Sequence, residues 1–206
     1  MRRSGAMRTV VAAAILAAIA SGASASDSDR SAFMAVTGKT AQPIGHHEFC
    51  QVYAAECAVH SKSRVHVRLD QVRLNELNAV NRAVNTGIRP ETDKDLFGRP
   101  EVWEFPDGSG DCEDFVLLKR KDLMARGWPA AALLITVVRQ TNGDGHAVLT
   151  VTTNRGDLVL DNLDPQVKLW SETSYRYLKR QSEYDSGAWV AIEDNGRGQP
   201  QVGSLR

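Results

Sequence analysis

The sequence predicts an α+β domain in which helices from the first half of the chain pack on an antiparallel sheet built from the second. Two observations carry this reading. Before about residue 126, apolar side chains recur at three- and four-residue steps; after it they gather into short runs separated by turn residues. No segment of the chain repeats another.

The elements follow in order. Arg2, Arg3 and Arg8 precede an apolar run over residues 10–20, and Ala23-Ser24-Ala25 supplies small residues behind it. This is the pattern of a secretory signal peptide over residues 1–25, cleaved near Ala25. The run is shorter than the ~20 residues that span a bilayer, so no membrane insertion is expected after cleavage. Residues 26–42, rich in Ser, Asp, Thr and Ala, read as a mobile lead-in. Residues 43–195 are expected to form one domain and residues 196–206 a C-terminal tail.

Export places the three cysteines in an oxidising compartment. Cys50 and Cys57 are close in sequence and Cys112 stands apart, so a Cys50–Cys57 disulfide with Cys112 free is expected. In one continuous helix, residues seven apart lie about 10.5 Å from each other. A disulfide needs Cα atoms within ~7 Å, so the bridge requires a turn or break between Phe49 and Glu56. His46, His47, Cys50 and Cys57 could instead form a zinc site, but their spacing matches no common zinc pattern.

Leu77, Val80, Val84 and Ile88 mark an amphipathic helix within residues 69–88, closed by Gly87 and Pro90. Asn75, Asn78, Asn81 and Asn85 ride beside that stripe and either face solvent, the preferred reading, or line a cleft. Residues 89–111 form an ordered loop carrying Trp103 and Phe105. Asp111 opens a helix reaching about Arg126, with Phe115, Val116, Leu118 and Leu123 as core candidates and Gly127 as its stop. Strands are expected at residues 133–138, which form a continuous apolar run suited to the sheet centre, and at 146–152, 158–161 and 188–192. Residues 172–184 read as a surface segment.

The chain carries 25 basic and 25 acidic side chains, so its net charge gives no basic surface for nucleic acid. The chemistry-bearing residues lie elsewhere. Cys112 falls in the first turn of its helix, where unpaired backbone N–H groups favour a thiolate and could hold an oxyanion. A thiol nucleophile needs a base, itself oriented by a third group. His146 opens one strand and Asp161 closes the next. A two-residue turn at 153–154 or 154–155 puts them on one face, opposite or one diagonal step apart, close enough to bond. Singly, each has a plain structural explanation: a buried small side chain, a strand-edge residue, an Asx-turn.

Three carboxylates, Asp111, Glu113 and Asp114, surround the thiol and oppose its ionisation. Asp111 as N-cap with Asp114 three residues on also fits an acidic capping box.

The run "GDCEDF" followed by a helix, then "GHAVLTV", then "LVLDNL", together with the helix "LNAVNRAVN", resembles the bacterial transglutaminase-like cysteine proteinases from about Phe49 to Trp189. The resemblance implies a papain-like, transglutaminase-like core, with Cys112 as nucleophile, His146 as general base and acid, and Asp161 as the residue orienting the imidazole. It also implies calcium beside the nucleophile, with Asp111, Glu113 and Asp114 as ligands, which would remove the conflict between thiol and carboxylates. The implied setting is the periplasm, the implied substrate a protein such as a large surface adhesin, and the implied regulator an inner-membrane receptor that senses a cyclic dinucleotide. The same triad could transfer an acyl group to an amine, as in transglutaminases, or survive inactive in a calcium-stabilised binding domain. Where the family carries an aspartate, tryptophan, threonine-proline and glutamate ahead of the cysteine, this chain has Glu101-Val102-Trp103-Glu104-Phe105-Pro106.

Overall fold

The structure, a computed structural model, describes residues 32–193. The expected signal peptide and C-terminal tail lie outside the described residues. Among the described residues no helix is long and apolar enough to cross a membrane.

The chain opens with strand β1 (Val36–Thr40), a helix α1 (Ile44–Val52) and a single turn α2 (Ala54–Cys57). Tyr53 interrupts the two helices with a non-helical backbone, and the break brings the Cα atoms of Cys50 and Cys57 to 5.7 Å, where they form the expected disulfide. The zinc alternative fails because both thiols are consumed.

Helix α3 (Gln71–Gly87) starts at Asp70, whose carboxylate accepts the N–H of Arg73 at 2.8 Å. After strand β2 (Arg89–Pro90) come a short helix α4 (Asp93–Phe97), strand β3 (Ser109–Gly110) and the helix α5 (Cys112–Ala125). β2 and β3 pair in parallel as a two-stranded ribbon, which ties the loop over residues 91–108 back to the start of α5. Gly127, at φ 83, ends α5: its N–H reaches Met124 O and that of Trp128 reaches Leu123 O.

The second half supplies β4 (Leu133–Arg139), β5 (Gly145–Thr153), β6 (Gly156–Leu160), β7 (Lys168–Leu169), β8 (Arg176–Gln181) and β9 (Trp189–Ile192). They join β1 in one sheet, ordered β1-β9-β8-β4-β5-β6-β7, with every pairing antiparallel. β4 lies at its centre, as its unbroken apolar run requires.

Two expectations need correction. Residues 36–40, read as part of a mobile lead-in, are an edge strand on β9. Residues 176–181, read as surface, form a strand between β9 and β4. The local sequence Arg176-Tyr177-Leu178-Lys179-Arg180-Gln181 hides this because its buried polar groups find their partners outside the strand. Arg180 pairs with Asp157 at 3.0 Å and Glu183 at 2.6 Å, and Gln181 Oε1 accepts the N–H of Ile135.

One face of the sheet carries α5, with α3 packed behind it. Leu77, Val80, Phe115, Leu123, Leu133, Leu149 and Leu160 fill this core. Leu123 is fully buried, so truncating it to alanine would cost about 2–5 kcal/mol. A smaller cluster of Met34, Val138, Val148, Val159, Trp170, Tyr177 and Ile192 covers the other face. Because α5 lies between α3 and the sheet, even its polar residues are enclosed: Arg120 donates to Leu133 O and pairs with Glu56.

Candidate active site

The β5–β6 hairpin turns at Asn154-Arg155, with Thr153 opposite Gly156 and Leu149 opposite Leu160. That register sets Asp161 level with Val148, one diagonal step from His146 and on the same face. The two side chains meet: His146 Nε2 lies 2.8 Å from Asp161 Oδ1, and both residues are buried.

Burial alone would raise the Asp161 carboxyl. Hydrogen bonds from His146, Tyr175 and the Leu163 N–H, with the His146 charge, outweigh it and hold the group below the usual carboxylate range. An ionised carboxylate only accepts, so Nε2 carries the proton and Nδ1 is the basic nitrogen. The loop behind Asp161 is fixed from α3. Asn85 Nδ2 donates to Asp161 O at 2.8 Å, and Asn81 Nδ2 to Asp164 O at 3.1 Å. These two asparagines therefore face inward, against the solvent-facing reading preferred for them, whereas Asn78 bonds the α3 backbone at Leu74 O.

Cys112, free and half-buried, lies at the mouth of α5. It lines a cleft of about 520 Å³ together with His146, Ala147, Val137, Pro43, Ile44, Thr92, Glu101 and Trp103. The Sγ–H donates to Glu113 Oε2 at 2.9 Å. Burial, the Glu113 charge and hydrogen bond, and Asp111 push the thiol far above its usual range, and the Ala147 N–H opposes them.

The acidic side chains divide into two groups. Carboxylate oxygens of Asp93, Asp111 and Asp114 lie within 4.8 Å of one another; those of Asp111 and Glu113 form a second set with the Cys112 sulfur. Asp93 is the residue that sequence reasoning missed. It stands 18 positions before Asp111, at the start of α4, and is brought in by the β2–β3 ribbon. The alternative reading of these acids as a capping box is not met: the Asp111 side chain makes no cap hydrogen bond. Asp114 Oδ1 instead accepts the N–H of Glu104 at 3.0 Å, and Asp93 Oδ2 that of Val102 at 2.5 Å. Asp93 Oδ1 and Asp111 Oδ1 are buried with no donor among the described residues. Burial, reinforced by the neighbouring carboxylates, raises Asp111 and raises Asp114 to about 7. Hard oxygen donors, orphaned lone pairs and uncompensated negative charge are what a calcium site provides.

The variant segment ahead of the cysteine is also built in. Glu101 lies on the cleft at φ 60, and Trp103 is buried against His46 and Trp189. A methyl group on Gly45 would come within 2.3 Å of Trp103 Cδ1, so α1 touches the indole directly. His46, caged by these rings and the disulfide, is lowered to about 4 by burial, Arg120 and His47.

No curated protein matches the chain significantly. Calcium-bound Legionella pneumophila LapG matches with a TM-score of 0.51 and 28% identity, over 66% of this chain and 76% of that one. A second structure of Legionella pneumophila LapG gives 0.50 and 25%, over 76% and 83%. The family model described as bacterial transglutaminase-like cysteine proteinase matches residues 36–197. It begins with β1 and runs past the last described strand, covering the cleft and everything that positions it. The chain belongs to the bacterial transglutaminase-like cysteine proteinases.

Proposed function

We propose that the protein is a periplasmic cysteine endopeptidase in which Cys112, His146 and Asp161 form the catalytic triad. The observation that carries the reading is the 2.8 Å bond from His146 Nε2 to Asp161 Oδ1, in a cleft that the free thiol of Cys112 also lines. His146 Nδ1 takes the Cys112 proton as Sγ attacks the peptide carbonyl. Unpaired N–H groups at the mouth of α5 receive the oxyanion. The imidazolium, steadied by Asp161, protonates the departing amine. Water activated by His146 then hydrolyses the thioester and frees the sulfur.

Asp93, Asp111 and Asp114 would hold calcium, with Glu113 beside them. Calcium held there would offset the negative charge of Asp111 and Glu113, which opposes ionisation of the Cys112 thiol. The orphaned oxygens of Asp93 and Asp111 support this, as does the calcium-bound state of Legionella pneumophila LapG. The N-terminal sequence pattern supports export. A protein substrate follows from the family; a surface adhesin, and control by an inner-membrane receptor, extend that reading.

The test is digestion of a peptide library in calcium, with products identified by mass spectrometry. Intact protein should cleave internal bonds and Cys112→Ala none. Retained cleavage in Cys112→Ala would refute the assignment. Incorporation of an added primary amine at glutamine, without cleavage, would replace proteolysis by amide transfer.

A further inference from the structure

We propose that Tyr175 is a positioning residue for the triad, its hydroxyl fixing the carboxylate of Asp161 so that Oδ1 stays directed at His146. The inference rests on the proteinase reading above and extends the site beyond the three residues that the sequence motifs mark. Tyr175 immediately precedes β8, in the stretch read from sequence as surface. Its hydroxyl donates to Asp161 Oδ2 at 2.6 Å, and its ring lies 5.5 Å from the His146 imidazole at 59°.

The two oxygens of Asp161 thus have separate duties. Oδ1 accepts from His146 Nε2 and from the Leu163 N–H at 2.9 Å, while Oδ2 is held by Tyr175. A carboxylate is two-fold about its last bond, and that torsion is soft. Donors on both oxygens, from different elements, remove the freedom to rotate or to exchange the two. The short bond is of the charge-assisted kind. Burial and then Asp161 push the phenol upward, which favours the protonated, donating form.

The charged and titratable groups facing Asp161 are His146 on β5, Lys119 on α5, Asp164 in the following loop and Tyr175 itself. Of these, Tyr175 supplies a neutral donor, which steadies the anion without competing with His146 for its role as acid. Tyr175→Phe keeps the ring against the imidazole and removes only the hydroxyl.

The experiment compares intact protein and Tyr175→Phe on a peptide that the intact protein cleaves, across pH, with the His146 ring N–H proton followed by NMR. The variant should lose about 10- to 100-fold in kcat with KM unchanged, the loss expected for one hydrogen bond to a charged group. Its activity should also fail at higher pH on acidification, because Asp161 has lost a donor that stabilises its ionised form. The ring N–H should exchange faster with water. A variant with unchanged kcat and acid limb, or with an effect on KM alone, would overturn the proposal. If the intact protein cleaves no peptide, the proteinase reading falls; the N–H resonance then decides, an unchanged exchange rate refuting Tyr175 and a faster one supporting it.

Discussion

His146 Nε2 and Asp161 Oδ1 meet at 2.8 Å across the diagonal of a single hairpin, so one two-residue turn sets which nitrogen of His146 faces the carboxylate. Asp161→Asn keeps the shape of the side chain and removes its charge. The amide would admit the wrong imidazole tautomer, and kcat should fall on the order of 10⁴-fold, as for the corresponding change in serine proteinases, with melting temperature little altered. Steady-state kinetics beside a thermal melt checks both halves.

Cys112 is the free thiol of the described residues and lies in the cleft. With calcium present, iodoacetamide should alkylate it at neutral pH faster than it alkylates glutathione, and His146→Ala should abolish that advantage. Mass spectrometry of the Cys112 peptide measures the rate. Equal rates in both proteins would remove His146 as the base.

Calcium should stabilise the fold as well as permit catalysis, because the site proposed for it gathers carboxylates whose mutual repulsion a cation would relieve. At a hundredfold excess over its dissociation constant the gain is about 2.7 kcal/mol, or roughly 5–10 °C in Tm for a chain of this size. EGTA should reverse it. Asp93→Asn should weaken the calcium response of Tm, while a change distant from the cluster, such as Val72→Ala on the exposed face of α3, should not.

Lys119 is fully buried, its Nζ has no hydrogen-bond acceptor among the described residues, and burial lowers it to about 7 with partial relief from Asp161. Between that value and its ordinary 10.5, the unfolded chain binds more protons than the folded one. The contribution of Lys119 to stability therefore rises with pH through this window. Lys119→Met should be more stable at pH 7 by about 1–4 kcal/mol, with the gap narrowing by pH 9. Urea unfolding at the two pH values tests the sign.

Reduction of the Cys50–Cys57 bridge removes a short covalent loop and should cost about 2.5 kcal/mol. A shift of the urea midpoint on adding reductant, absent in a Cys50→Ala/Cys57→Ala protein, would show it.

Much of the site was legible because its parts are local. The first-turn cysteine, the hairpin register and the break between Cys50 and Cys57 each depend on a few neighbouring residues. What sequence concealed was non-local. Asp93 joins Asp111 and Asp114 only because β2 pairs with β3. Asn81 and Asn85 look like solvent-facing polar residues, yet their acceptors are backbone carbonyls about eighty positions away. Strand β8 buries Arg180 against Asp157 and Gln181 against the Ile135 N–H, partners that no alternation of polar and apolar residues can announce.

The pairing of β1 with β9 joins the first described strand to the last, and the cleft wall draws on both ends: Lys179, which lines it, donates to Ala41 O, and His46 accepts from Trp189 Nε1. A ribosome delivers these pieces at opposite moments of synthesis. The cleft wall therefore closes only once Trp189 has been made, and a chain shortened before β9 would lack both the partner of β1 and the indole that holds His46.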